Sequence, residues 1–371
     1  MKKSENMISE DLSLRLSVLK FISIVAVVFV HANALDVPLK NGPLDLAQFR
    51  AVEFIETLVT YLARFSMPLF LAISGLIYFC KPYNDSYFNF IKKKTKTILW
   101  PYLLWNTITI AYMFILELLP FVRKSLENTS IFIPAFGVRE WISAYIGFQC
   151  EWMPFLYPAW FLLYLYFFFL IIPFLRKYFE KYPVLILVLS IINLIMISYR
   201  PFARLLGDCG PLHRTLVFFA FFTIGLAFLK YRTYFEHKAT ILTSGILFCG
   251  CVVFDLCIPQ NLLHQKITMM PLSIFLGVIF LFAFSKYLPC LSDRTKKTML
   301  FLSSFTFLIY MGHEFFLKML KGICFKMIMP NTALLLLLYF GIPLFVMTAL
   351  VIIGMIMKKY LPWLYKFLML R

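Results

Sequence analysis

The stretch from Arg15 to Asn33, RLSVLKFISIVAVVFVHAN, has the apolarity of a membrane span, yet it carries Lys20 near its start and His31 near its end. Eleven residues separate the two. On a helix they therefore point within about 20° of each other and lie ~16 Å apart along one face. A cation in hydrocarbon costs ~2.5–3.5 kcal/mol even on a mild insertion scale, which drives such residues toward a bundle interior or a wet cavity. This helix reads as one wall of a reaction path.

The rest of the chain repeats the theme. Its 371 residues are 61% apolar and 19% aromatic, with mean hydropathy +0.83, which is more apolar surface than a soluble core can bury. Apolar runs near 15–35, 61–80, 97–118, 156–175, 183–199, 213–229, 239–257, 269–288, 299–320 and 333–357 predict an all-α, polytopic transmembrane bundle of about ten spans. We read residues 1–371 as a single domain. Lys2 and Lys3 precede an apolar run with no small-residue cleavage site after His31, so the first span is expected to stay uncleaved.

The net charge of +18 gathers in short loops on alternate sides of the spans, not in a patch suited to nucleic acid. Roughly twice as many Lys and Arg fall on the side of the N-terminus, which places both termini in the cytoplasm, the topology signal of an inner-membrane protein. Eight cysteines without CxxC spacing indicate neither a disulfide framework nor a metal site. Cys150 and Cys209 both fall in loops read as outer, and one bridge between them stays open.

Sorted by depth, the polar groups form two layers. His31 lies at the outer end of the first span, and Arg64, in YLARFSMPLFLAISG, enters the second span at the same level. Trp160 in PAWFLLYLYF, Arg214 in GPLHRTLVFFAFF, and Tyr310, His313 and Glu314 in TFLIYMGHEFF join them. Plainer roles stand beside the chemical ones: interfacial anchoring for Arg64 and Trp160, packing for Tyr310, a structural hydrogen bond for His313. Glu314 lies about 100° round the helix from His313 and so cannot simply orient that ring. Residues 44–59 resemble a short amphipathic helix, a lid on the outer surface. The loop 119–155 offers Arg139, Glu140, Trp141, Glu151 and Trp152, a mixture suited to a sugar or to the interface. At the opposite face, Lys20 meets IKKKTKTILWPY, where Lys92, Lys93, Lys94 and Lys96 lead into the third span. Lys92 and Lys96 form an i,i+4 pair, while Lys93 and Lys94 suit positive-inside anchoring.

A neutral histidine in a dry, polar-lined chamber can take a proton from a hydroxyl, with neighbouring donors stabilising the oxyanion. Basic groups below can hold a phosphorylated acyl carrier. That geometry suits acyl transfer across the membrane.

These residues, in this order, resemble the acyltransferase-3 family of bacterial inner-membrane enzymes that acylate surface polysaccharides, lipopolysaccharide, peptidoglycan and lipid-linked glycans. The resemblance is carried by Lys20 and His31; Arg64, Pro68, Ser74 and Gly75; Lys96, Pro101, Tyr102 and Trp105; Trp160 and Phe161; Gly225; and Ser304, Tyr310 and His313. It implies that His31 is the essential histidine, with Arg64, His313 and Tyr310 around it. Acetyl-CoA, arriving from the cytoplasm, is implied as a donor substrate with no permanently bound cofactor. Lys20, where many members carry arginine, and Lys92, Lys93 and Lys96 are expected to contact the donor. Trp160, Arg214 and Glu314 are expected to contact a surface glycan or lipid-linked sugar. Membrane lipids complete the expected partners; the oligomeric state is not legible. The competing reading is a transporter or export component, since buried ionisable groups also line substrate routes. Inverted repeats with broken helices would mark that class, and neither is evident in the sequence.

Overall fold

A computed structural model describes residues 9–33, 35, 45–81, 86–118, 133–147, 153–199, 211–258, 268–327 and 331–369. Among the described residues the chain is helical throughout, without a β-strand. In order come α1 (Glu10–Val30), α2 (Leu46–Ala63), α3 (Ser66–Cys80) and α4 (Tyr87–Lys94), which runs through a π-helical turn (Thr95–Leu99) into α5 (Trp100–Glu117). Then follow α6 (Val138–Ile146), α7 (Trp160–Lys181), α8 (Pro183–Ser198), α9 (Pro211–Lys230), the single turn α10 (Arg232–Phe235), α11 (Lys238–Cys257) and α12 (Met270–Phe284). The chain closes with α13 (Asp293–Ser303), α14 (Thr306–Met327), α15 (Thr332–Tyr360) and α16 (Pro362–Met369).

Among the described residues, seven helical stretches are long and apolar enough to cross a membrane, or eight if α13 and α14, bent by 59° at their junction, make one broken span. All ten apolar runs of the sequence fall on helices, although the apolar part of α8, Pro183–Met196, is shorter than a full span. The amphipathic segment expected over 44–59 is part of a longer helix. α2 continues through Arg64 and Phe65 into α3, and Val52 and Glu56 are buried where it packs on α1 and α15. It is built into the bundle and does not lie free as a lid.

Local sequence explains the helix starts. Ser9 Oγ accepts the Leu12 N–H at the head of α1, Asp45 and Gln48 form a capping box for α2, and Asn331 caps α15. Deeper in, lipid tails are as apolar as leucine, so helices associate through close packing, and small residues set how close they come. α3 and α9 cross at Gly75 and Gly225. A Cβ on Gly75 would stand 2.2 Å from Phe222 O, and one on Gly225 would stand 2.1 Å from Ala72 O. The aromatic core grows outward from this contact, with Phe222 meeting Tyr78, Phe79, Phe168 and Phe169. α1 threads the middle, against α3, α13, α14 and α2.

The Lys20 end of α1 is pinned by a buried charge. Arg15 donates to Glu236 Oε1 (2.6 Å), Ser285 Oγ (2.9 Å) and Phe282 O (3.2 Å), and Arg232 donates to the same Glu236 oxygen (2.6 Å). Burial raises the Glu236 pKa, but the hydrogen bonds from Arg232 and Arg15 outweigh it and hold this loop carboxyl below its ordinary value. A carboxylate depressed on folding stabilises above its unfolded pKa, and the contribution is lost as pH falls through the folded value. E236Q is therefore expected to cost on the order of 3 kcal/mol at neutral pH, because it leaves Arg15 buried without its counter-charge. In pH-resolved thermal unfolding of the purified protein, the gap to wild type should shrink below about pH 4.3. An unchanging gap down to about pH 3.5 contradicts this.

Candidate active site

α1 ends at His31, whose N–H still reaches Val27 O (3.3 Å) while its own backbone leaves the helix at φ −96°, ψ 4°. The ring of His31 meets α14. Its centroid lies 5.4 Å from that of His313 and 5.8 Å from that of Tyr157, which it meets edge-on. On α14, Tyr310, His313, Glu314, Leu317 and Lys321 repeat at helical spacing and are all buried. The inner face of this helix is polar. His313 Nδ1 lies 2.8 Å from Tyr310 O and 3.1 Å from Ile309 O. A carbonyl can only accept, so Nδ1 carries the proton, and Nε2, buried without a hydrogen-bond partner among the described residues, keeps its lone pair. Glu314 pairs through Oε1 with Lys318 (2.6 Å) and does not orient His313, as its angular offset requires.

A second clasp joins the two helices. Lys321 Nζ donates to His31 O (3.3 Å) and Asn33 O (2.9 Å), satisfying carbonyls that the end of α1 leaves open. Lys321 is not among the candidate residues singled out from the sequence. A signal was present: Lys321 follows Tyr310 by eleven residues, the same offset as Lys20 and His31, about 20° round the helix.

Below this pair lies a cavity of about 620 Å³, lined by Ser17, Lys20, Phe70, Ser74, Thr97, Phe161, Leu162, Leu165, Leu300, Ser303, Ser304, Thr306, Phe307 and Tyr310. Its lining mixes hydroxyls and the Lys20 side chain with phenyl and leucyl groups. On α14 the lining stops at Tyr310, and His313 lies one turn further along. Tyr310 donates its hydroxyl proton to Pro158 O and packs near Phe70, so its O–H is committed to the backbone before α7. The hydroxyl expected beside an oxyanion therefore serves, as it stands, to close the top of the cavity.

Beside the cavity, Lys92, Lys96, Ile91, Thr95 and Trp100 line an open groove of about 630 Å³. The π turn links the two spaces, since Lys96 lines the groove and Thr97 the cavity. Such turns recur at functional sites. Lys93 lines neither: it is exposed, and its carbonyl accepts from Thr97 Oγ1 (2.9 Å). Lys94 lies over the Phe169 ring at 3.8 Å, a cation–π anchor.

The remaining residues of the upper layer form two further contacts. Arg214 stacks over Trp160 (4.9 Å) and Tyr164 (5.2 Å), bringing together two residues expected to touch the same ligand. Arg64 points NH1 at Met270 Sδ (2.7 Å) and lies over Tyr61, at the junction of α2 and α3. In the loop 119–155 the described part holds α6, where Trp141 packs on Phe136 and Asn106 of α5 ties Ala144 O to the Leu156 N–H. Glu151, Trp152, Cys150 and Cys209 lie outside the described residues.

The model of a family described as an acyltransferase domain, the acyltransferase-3 family, matches residues 14–358, nearly the whole chain. The chain belongs to the acyltransferase-3 family. No curated protein and no solved structure matches it. The protein is thus a multi-pass membrane acyltransferase, and its cavity and paired histidines occupy the matched region. If the Lys321 clasp sets the spacing of the two rings, K321M should lower the acyl-transfer rate of the purified acyltransferase by about a hundredfold, the cost of roughly 1 Å of misplacement. K321R should restore part of it. Equal rates for K321M and wild type contradict this.

Proposed function

We propose that this acyltransferase moves an acetyl group from cytoplasmic acetyl-CoA to a hydroxyl of a surface polysaccharide or lipid-linked glycan presented at the opposite face of the bacterial inner membrane. What carries the reading is a succession of neighbours: Lys20 and Tyr310 line one cavity, Tyr310 packs on His313, and His313 packs on His31. A flexible arm bearing amides and methyl groups suits a cavity lined by both hydroxyls and apolar groups. Lys20, Lys92 and Lys96 supply positive charge where the phosphorylated end of such a donor stays behind. A glycan hydroxyl reaches the histidines from the other side.

His31 takes the proton of that hydroxyl, and the oxygen attacks the thioester carbonyl carbon. As the tetrahedral intermediate collapses, the C–S bond breaks and the imidazolium returns its proton to the departing thiolate. His313, its Nδ1–H fixed on backbone carbonyls, packs against His31 and offers Nε2 as a second acceptor. For the thioester to reach this pair, Tyr310 has to release Pro158 and swing aside, so the Tyr310 hydroxyl becomes available to the oxyanion at the moment one forms. Arg214 stacked on Trp160 joins a cation to an aromatic plate, which suits a phosphorylated or lipid-linked sugar. Arg64 and Glu314 flank this acceptor side.

Labelled acetyl-CoA supplied to membranes, with glycan acetylation read by mass spectrometry, tests the reading. H31A should lose about a hundredfold or more of the transfer, the usual weight of a general base. Unchanged acetyl content in a folded H31A protein contradicts it.

A further inference from the structure

The donor cavity has a second cation at its rim. Lys358, near the end of α15, donates from Nζ to Ser304 Oγ (3.0 Å), and Ser304 lines the same cavity as Lys20. Ser304 sits in the break between α13 and α14, where the axis turns by 59°. The break places Ser303, Ser304 and Thr306 together on the cavity wall.

The position of Lys358 is set by the packing around it. Phe305, the other residue of the break, stands against Gly354, where a Cβ would meet its ring at 2.6 Å. Gly354 and Lys358 are four residues apart and share a helix face, so the close approach that glycine permits brings the lysine down on Ser304. The ammonium lies 4.0 Å from the centroid of Phe305 and 5.2 Å from that of Tyr365 on α16. An exposed lysine held from three sides differs from a lysine that only completes a helix terminus. Lys359 beside it lies over Tyr360 and is the natural control for that simpler role. Among the described residues lining the cavity there is no acidic side chain, and two ammonium groups serving one cavity suit an anionic occupant.

We propose that Lys358, aimed by Ser304, is a phosphate anchor for the acyl donor, pairing with the phosphorylated end of a pantetheine thioester whose arm lies in the cavity. This rests on the donor reading of the proposed function. The thioester end then extends past Lys20 toward Tyr310, and Lys358 acts only on donors that carry phosphate.

The test compares the affinity of the full-length protein, in nanodiscs, for acetyl-CoA and for acetyl-pantetheine, which has the same arm without phosphate. K358A should weaken acetyl-CoA binding by about tenfold, the usual worth of a charge-assisted phosphate contact. Acetyl-pantetheine binding should stay within about twofold of wild type. K358R should retain acetyl-CoA affinity, S304A should lose part of it, and K359A should match wild type. If K358A does not fold, K358Q carries the test, because it keeps most of the stem that packs on Phe305. Undiminished acetyl-CoA binding in K358A, or equal weakening toward both thioesters, overturns the assignment. So does a K358A defect confined to retention of phosphatidylglycerol, which would assign the ammonium to a lipid headgroup. A wild-type protein that binds neither thioester overturns the donor reading itself.

Discussion

In a hydrocarbon solvent a polar side chain must find its partner on another helix, and the histidine end of this bundle is organised by that demand. α1 brings His31 and a set of open terminal carbonyls; α14 brings His313 and Lys321. Each helix answers what the other leaves unmet. Because an unpaired backbone carbonyl in lipid costs several kcal/mol, the Lys321 clasp holds the chain where it turns out of α1 and with it the position of the His31 ring. The rest of the site is arranged below this joint.

The same economy of polar groups shapes the cavity. A continuous helix through this junction would spread Ser303, Ser304 and Thr306 around its axis. The break at Ser304 and Phe305 instead lets three hydroxyls line open space, and the phenyl ring is absorbed by the absence of a side chain at Gly354. At the core, Gly75 and Gly225 allow α3 and α9 to touch backbone to backbone. That contact brings Ser74 and Phe70 of α3 to the cavity while leaving α9 free to present Arg214 to Trp160. Small residues thus decide where the space is, and hydroxyls and lysines decide what it accepts.

Much of this was legible before any coordinates. Helical periodicity sets Lys20 and His31 on one face and depth groups His31, His313, Trp160 and Arg214 in one layer, within which the structure sets His31 beside His313 and Arg214 over Trp160. Both inferences depend only on rise and rotation per residue. What depth does not encode is azimuth. Arg64 shares the outer layer, yet its guanidinium turns to Met270 and Tyr61, and Tyr310 spends its hydroxyl on Pro158. The lysine run shows the same limit: Lys92 and Lys96 share a groove while Lys93 and Lys94, between them, turn elsewhere. The serine cluster at 303–304 and Lys358 were illegible for a different reason. Their meaning comes from a bend and from a contact between residues 54 apart in sequence, neither of which leaves a periodic trace.

The central claim is that one line of space carries a thioester from the lysine end of the bundle to the paired imidazoles. A structure determined with a non-hydrolysable thioether analogue of acetyl-CoA tests it most directly. The expected result is the pantetheine arm between Lys20 and Tyr310, the Tyr310 hydroxyl released from Pro158, and the acyl carbon positioned so that a hydroxyl held by His31 would lie about 3.5 Å from it. An analogue seated outside the cavity, with Tyr310 still bonded to Pro158 and the histidine pair out of reach, contradicts it.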